Sequence, residues 1–377
     1  EGTDIGTYDY KKALWSPKAT VQPRAGRWGM HDFAVLPDGS KAYLAVLGPL
    51  FPGDQATGWL YAADLRSGTV RELPIDGGAK AVAIGRDSSR LYVGAGWPAR
   101  GVNDVPMIHI VDTARDADIG VINIGQQKFD WFCTQINEMK IDPVDGRWLY
   151  ATNADGNSLI KVDLATNQVA VNLVLNEESN APDLILRQPG ASRAYALLER
   201  TNEALEIDLD RAEVIRTVQF PITRTDVLSF KGAAFRDADT LLVAQGAYIL
   251  ELAADLTLRA RRNLPQDAPA VWGVIASGDG KTLYSVSQAR GTTVYQPDTL
   301  LAIDATSFKI NATLHLDGGQ FNLPWEHPDA GKLYVLGGMP NATVLIHVVD
   351  AASYSLRKTI RFDDPDLARI SAGPYYP

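Results

Sequence analysis

The sequence predicts an all-β fold built radially from seven four-stranded antiparallel units, and three observations carry that reading. One phrase recurs: an apolar run, a short polar turn often holding Asp-Gly, a strand led by Leu-Tyr or its equivalent, and a strand ending in Val-Asp or Ile-Asp. Its clearest copies are "AVAIGRDSSRLYVGAG" followed by "MIHIVD", and "MKIDPVDGRWLYATN" followed by "LIKVD". Two sets of positions also keep step. Tyr43, Tyr92, Tyr150, Tyr195, Leu241, Tyr284 and Tyr334 lie 43 to 58 residues apart. Each is followed by a second marker: Asp64, Asp112, Asp163, Asp208, the pair Glu251-Leu252, Asp304 and Asp350. Finally, apolar residues alternate or run for four to seven positions between Gly, Asn, Asp, Ser and Pro, and no long stretch favours the 3.6-residue period of a helix. A unit of this length cannot bury both its faces alone, so the predicted architecture is a seven-bladed β-propeller.

The second unit shows how each element arises. Ala81 to Ile84 form the first strand, Arg86 to Ser89 the turn, and Leu91 to Ala95 the second strand. Met107 to Val111 form the third strand, Asp112 to Arg115 turn the chain, and Ile119 to Ile124 form the fourth. The Asp that ends the third strand has a structural task, because its short side chain accepts bonds from backbone N–H groups two or three residues on. Asp38, Asp145 and Asp279, each before Gly, read as hairpin-turn residues. The repeats span 31–361. Residues 1–30 are expected to latch onto the ring, as an extra edge strand or in place of the last strand, with 362–377 left as a surface tail.

Bulk composition narrows the partners. With 36 basic and 45 acidic residues the net charge is −9, which argues against nucleic acid, since phosphate binding needs concentrated positive charge. The short basic run Arg259, Arg261, Arg262 reads as a solvated strand face. No run approaches the length of a membrane-spanning helix. The single cysteine, Cys133, excludes an internal disulfide and reads as a buried apolar thiol. The chain starts at Glu1 rather than Met, as after removal of an export signal peptide, so the expected location is periplasmic or secreted. Two N-x-T sequons, at Asn311 and Asn341, read as chance occurrences.

Loop lengths point to one face. Turns between first and second, and between third and fourth strands, are short. The long connections, Gly48 to Gly58, Gly96 to Pro106, Gly125 to Gln135, Asn176 to Pro182, Pro221 to Phe230, Asn263 to Ala270 and Ser287 to Thr299, all fall on the opposite face. Chains vary loops where they bind, so the channel mouth on that face is the expected site.

The residues at or just before the first strands are ligand-like in composition. They are Trp28, His31 and Asp32 in unit one, Lys80 in unit two, and Trp131, Gln135, Asn137 and Glu138 in unit three. Asn180 and Asp183 follow in unit four, Arg224, Asp226 and Lys231 in unit five, Trp272 in unit six, and Asn322, Trp325, Glu326 and His327 in unit seven. Aromatics supply contact area while a few polar groups fix orientation. Asp32, Glu138, Asn180 and Asn322 form an oxygen set suited to Ca²⁺ or another divalent cation. His31 and His327 are the two histidines near the predicted rim, a weakly specified transition-metal pair. Glu138, Asp32 and His31 are the acid–base candidates, while His109, His315 and His347 lie in or beside strands and read as structural. No nucleophile elbow and no phosphate-binding glycine loop is present.

Tyr150-Ala151-Thr152-Asn153, followed by a strand ending in Val162-Asp163, resembles the YVTN repeat of the YncE-like bacterial seven-bladed propellers. Tyr92-Val93-Gly94-Ala95 departs from that repeat at the Asn position. The resemblance covers about residues 31–361 and implies the fold, an exported location, and kinship in shape with amine dehydrogenase heavy subunits and sugar lactonases. It transfers no catalytic residue. Two functions are therefore expected: a propeller binding a small molecule or protein partner on the loop-rich face, including a scaffold role in a redox complex, and a metal-assisted hydrolase or lactonase with its site in the channel.

Overall fold

The computed structural model describes residues 3–9, 14–21, 30–46, 58–75, 78–95, 107–124, 136–142, 146–153, 157–175, 182–187, 191–198, 203–219, 233–245, 248–264, 270–271, 273–288, 299–316, 319–320, 325–327, 331–338 and 344–362. The expected blades are present: seven antiparallel sheets, each a four-strand meander in chain order. The first strands of successive blades contact one another from blade 1 to blade 6 and again from blade 7 to blade 1, which places them around the central channel. Blades 6 and 7 break their first strand in two, at Ala270–Val271 with Ile275–Ala276 and at Gly319–Gln320 with Trp325–His327.

The core is divided among the blade interfaces, one apolar cluster per interface. The cluster that joins Phe33, Leu44 and Tyr61 of blade 1 to Leu336, Ile346 and Ile360 of blade 7 closes the ring. Among the described residues no strand is exchanged at that closure. Blade 7 takes its outer strand from Ser355–Phe362 and blade 1 begins at Met30–Val35. The N-terminal strands Thr3–Asp9 and Leu14–Val21 pair with each other as a separate hairpin.

The repeated Tyr and Asp residues are framework. Tyr43 donates its hydroxyl to Asp116 Oδ1 at 2.7 Å, and Tyr195 donates to the Ala254 carbonyl at 2.6 Å, so each reaches the turn before the outer strand of the next blade. In blades 1, 2, 4, 6 and 7 the Asp that ends the third strand accepts backbone N–H groups two and three residues on. Asp64 takes Arg66 and Ser67, Asp208 takes Asp210 and Arg211, and Asp304 takes Thr306 and Ser307. Those bonds hold the carboxyls of Asp64, Asp208 and Asp304 below the usual carboxylate range.

Each of these turns ends on a residue with left-handed backbone: Gly68, Asp116, Asn167, Ala212, Leu256, Phe308 and Tyr354, with φ from 51 to 75°. Leu256 and Phe308 are poor choices for that conformation on local grounds. Packing explains them, because both side chains are buried in blade-interface clusters, and Tyr354 packs edge-on against Tyr284 of blade 6.

Candidate functional site

A backbone irregularity builds the mouth of the channel. In blade 1, Met30 pairs with Val46 and Asp32 with Ala45, which leaves His31 as an extra residue. The same β-bulge inserts Asn137 in blade 3 and Asp183 in blade 4. In blade 2, Lys80 donates its N–H to the carbonyl of Gly94, although Gly94 is already the partner of Ala81. Four consecutive blades therefore carry a polar residue at one register position of the inner strand. Bulges of this kind re-aim side chains at barrel rims and active sites. In blade 5 the matching position, before Ala233, lies outside the described residues.

Side chains on blades 1 to 3 form a connected polar sector. Lys80, although buried, donates its ammonium to Asn137 Oδ1 and so links blades 2 and 3. Asp32 accepts the N–H of Phe33 at 2.8 Å through one oxygen and that of Val82, on the inner strand of blade 2, at 2.9 Å through the other. Glu138 and Lys140, two residues apart on one strand, form an ion pair at 3.0 Å. Thr152, the cross-strand partner of Glu138, buries a hydroxyl that has no hydrogen-bond partner among the described residues.

Lys140 is the residue that reading the sequence missed. Its register partner is Tyr150, and the residues opposite the matching position in the other blades are Ala34, Ala83, Leu186, Phe235, Ile275 and Trp325. Six blades place an apolar residue where blade 3 places an ammonium. The signal was in the sequence but is visible only once inner strands are aligned on the tyrosine. Half of the Lys140 side chain is exposed.

Burial raises the Asp32 carboxyl to about 6, outweighing the opposing effects of the Val82 N–H, the Lys140 ammonium and the Phe33 N–H. Lys140 is raised chiefly by Glu138, with a smaller contribution from Asp32, against the cost of burial. The sector thus offers a carboxyl that exchanges its proton near neutral pH beside an ammonium and a second carboxylate, an arrangement that can orient a polar ligand or move a proton.

Of the expected oxygen ligands to a divalent cation, Asn180 and Asn322 lie outside the described residues. Both Asp32 oxygens accept backbone N–H groups, and Glu138 already faces an ammonium. Among the described residues no group of three or more His, Cys, Asp or Glu could hold a metal.

Other expected residues are placed as follows. Trp28, Trp131, Gln135, Asn180, Arg224, Lys231, Trp272 and Asn322 lie outside the described residues, as do Cys133 and, apart from their ends, the long connections. His31 sits at the mouth end of its strand, whereas His327 pairs with Lys332 at the opposite, turn end of its own, so the two are not at one level. His109 bonds Asp118 at 2.6 Å, His315 bonds Thr299 at 3.1 Å and His347 bonds Thr359 at 3.0 Å, all within their own blades.

No family model matches the chain, and no curated protein does. Among solved structures it is similar to hydrazine synthase from Kuenenia stuttgartiensis, with 15% identity over 89% of this chain and 96% of that one, at a TM-score of 0.60. It is also similar to the dihydro-heme d1 dehydrogenase NirN in complex with DHE, with 14% identity over 96% of this chain and 71% of that one, at a TM-score of 0.58. At such identities the likeness is one of fold, and the fold it shares is the propeller.

Proposed function

We propose that this chain is an exported binding propeller, distantly akin to the YncE-like group, that takes a small charged ligand or a partner's polar segment at the channel mouth over blades 1 to 3. The observation that carries the reading is the sector itself: Asp32, Lys80, Asn137, Glu138 and Lys140 meet across three blades, with an ammonium where the other six have apolar side chains. A place in a redox assembly is supported by the two similar structures, a hydrazine synthase and a dihydro-heme d1 dehydrogenase in complex with DHE. The test is a thermal-shift screen of small carboxylates, amines and tetrapyrroles on wild type, Glu138→Gln, Lys140→Met and a distant control, Lys309→Met. A ligand that binds wild type and the control alike, and both site variants at least about tenfold more weakly, supports the reading. A ligand that binds all four equally sinks it.

One observation favours a second reading, hydrolysis. The Asp32 carboxyl, near 6, is suited to act as the acid–base group of an ester or lactone hydrolase. Lactone turnover that is lost in Asp32→Asn would establish this activity, and its absence with a panel of lactones would leave the binding role. A calcium titration of wild type and Lys140→Met asks separately whether a cation can enter once the ammonium is removed.

A further inference from the structure

The inner strand of each blade is paired on one side only, so its other side faces the channel. In an antiparallel ladder the N–H groups of alternate residues point away from the partner strand. On blades 1 and 2 these include Phe33 and Val82, each one residue before the partner of the repeated tyrosine. One carboxylate takes both. Asp32 accepts Phe33 at 2.8 Å through one oxygen and Val82 at 2.9 Å through the other. The channel wall therefore already holds a carboxylate on backbone donors of two adjacent blades.

Met139 occupies the same register position in blade 3. Asp142 donates its N–H to the Trp148 carbonyl, so by alternation Lys140 bonds the ladder and the Met139 N–H turns to the channel. Blade 2 has no carboxylate to offer it, because the residue that matches Asp32 there is Ala81. The side chains at this level have donors to spare and few acceptors. Both Asp32 oxygens are engaged, and Glu138 faces the Lys140 ammonium at 3.0 Å. An ammonium has three donors, and half of the Lys140 side chain remains exposed. Its charge also acts on Asp32, so it reaches toward blades 1 and 2.

We propose that the channel mouth takes a small carboxylate ligand, with one oxygen on the Met139 N–H and the other on the Lys140 ammonium, as Asp32 sits on Phe33 and Val82. The proposal rests on the reading of blades 1 to 3 as the binding sector and names the chemistry that sector selects. A carboxylate satisfies two donors with its two oxygens, and the charged donor strengthens the bond. A neutral amide offers one acceptor in its place. An amine meets a like charge in Lys140 and carboxylates that are already bonded.

The backbone donor can be removed by itself. Proline at 139 costs no ladder bond, because that N–H points away from the ladder. Blade 7 carries a proline at this place in its sequence, Pro324, just before the Trp325 that pairs with Tyr334. Met139→Ala trims the same side chain and keeps the N–H.

Calorimetric titration with succinate and benzoate, each against its neutral amide and against benzylamine, tests the proposal. Wild type, Met139→Ala and the distant control Lys309→Met are expected to bind a carboxylate at least about tenfold more tightly than its amide, and Lys140→Met and Met139→Pro to lose that margin. A second measurement uses the amide pair that Asp32 fills: acetate should raise the melting temperature of Asp32→Ala more than that of wild type. If Met139→Pro does not fold, as circular dichroism shows, Lys140→Met and Asp32→Ala decide. Carboxylates bound no better than their amides, or bound alike by wild type and Lys140→Met, overturn the proposal, and so does acetate acting equally on Asp32→Ala and wild type. Benzylamine bound by wild type and lost in Glu138→Gln would overturn the carboxylate and leave the sector as the binding site. Binding that responds to neither Lys140→Met nor Glu138→Gln would remove the sector as well.

Discussion

The carboxylate of Asp32 accepts the backbone N–H of Val82 at 2.9 Å, so a side chain of blade 1 satisfies the inner edge of blade 2. The bond is made at the cost of burying a carboxyl, and the Asp32 midpoint rises from 3.8 to about 6. A folded-state value above the unfolded one means that the native protein holds the extra proton between these two values. Asp32 therefore favours folding most below pH 3.8, and this contribution is lost as pH rises through 6. The loss is on the order of 2 to 3 kcal/mol. Asn at this position keeps one acceptor for two N–H donors and does not titrate. Asp32→Asn is thus expected to be less stable than wild type at pH 4.5, with the deficit shrinking by pH 8. Urea unfolding at both values measures it, and a deficit that grows with pH would refute the assignment.

Acid acts with opposite sign at the turns. Backbone N–H and hydroxyl groups of Ser353, with Arg357, hold Asp350 at about 2; Asp304 is lowered in the same way by Ser307, and Asp163 chiefly by the Arg147 side chain. Groups with a lowered folded-state value stabilise above 3.8 and lose that contribution as pH falls toward 2. Unfolding should therefore steepen between pH 4 and pH 2. Asp304→Ala should lower the midpoint temperature by a few degrees at pH 7 and by less at pH 2, where wild type has lost the same bonds. Calorimetry at the two pH values decides it.

Much of this framework was legible in the sequence because it repeats. The tyrosine and aspartate of each unit recur in step, and their bonds to neighbouring turns explain why. Asp32, Lys80, Asn137 and Glu138 were legible too, as polar residues where an inner strand begins. Lys140 was not, because the bulge at Asn137 shifts the alternation of Ile136–Ile141 and hides which residues share a face. The left-handed turn residues were hidden for a different reason. Leu256 and Phe308 obey packing across a blade interface, and nothing local marks them.

Those turn residues separate strain from packing. Ala212 has φ of 54° and a side chain too small to contribute much area, so Ala212→Gly removes the strain of a left-handed Cβ and should stabilise by about 0.5 to 1 kcal/mol. Phe308 has φ of 59° but is buried between blades 5 and 6. Phe308→Gly relieves similar strain and empties a core position, for a net loss of about 2 to 4 kcal/mol. Chemical denaturation of both variants should give opposite signs. Equal signs would mean that backbone strain is not what distinguishes these turns.

Gly94 ties packing to the candidate site. A Cβ on Gly94 would lie 2.6 Å from Ile136 Cγ2 and 2.7 Å from its Cβ, closer than carbon atoms can approach. Ile136 is fully buried between blades 2 and 3, and it immediately precedes the bulged Asn137 that receives the Lys80 ammonium. The Gly94 carbonyl also accepts the Lys80 N–H. Gly94→Ala must therefore move the inner strand of blade 3, which carries site residues, or the second strand of blade 2, whose Gly94 carbonyl holds Lys80. The expected cost is about 1 to 3 kcal/mol, the usual penalty of overpacking a tight interface. A purely structural role would end there. If the mouth of blades 2 and 3 is the binding surface, ligand affinity falls as well, in the folded variant and at temperatures well below its unfolding transition. Ile136→Val, which trims the same contact without adding bulk, should lose about 1 kcal/mol of stability and keep affinity. Gly94→Ala binding at wild-type strength would show that the ligand does not depend on the register that sets Lys80 against Asn137.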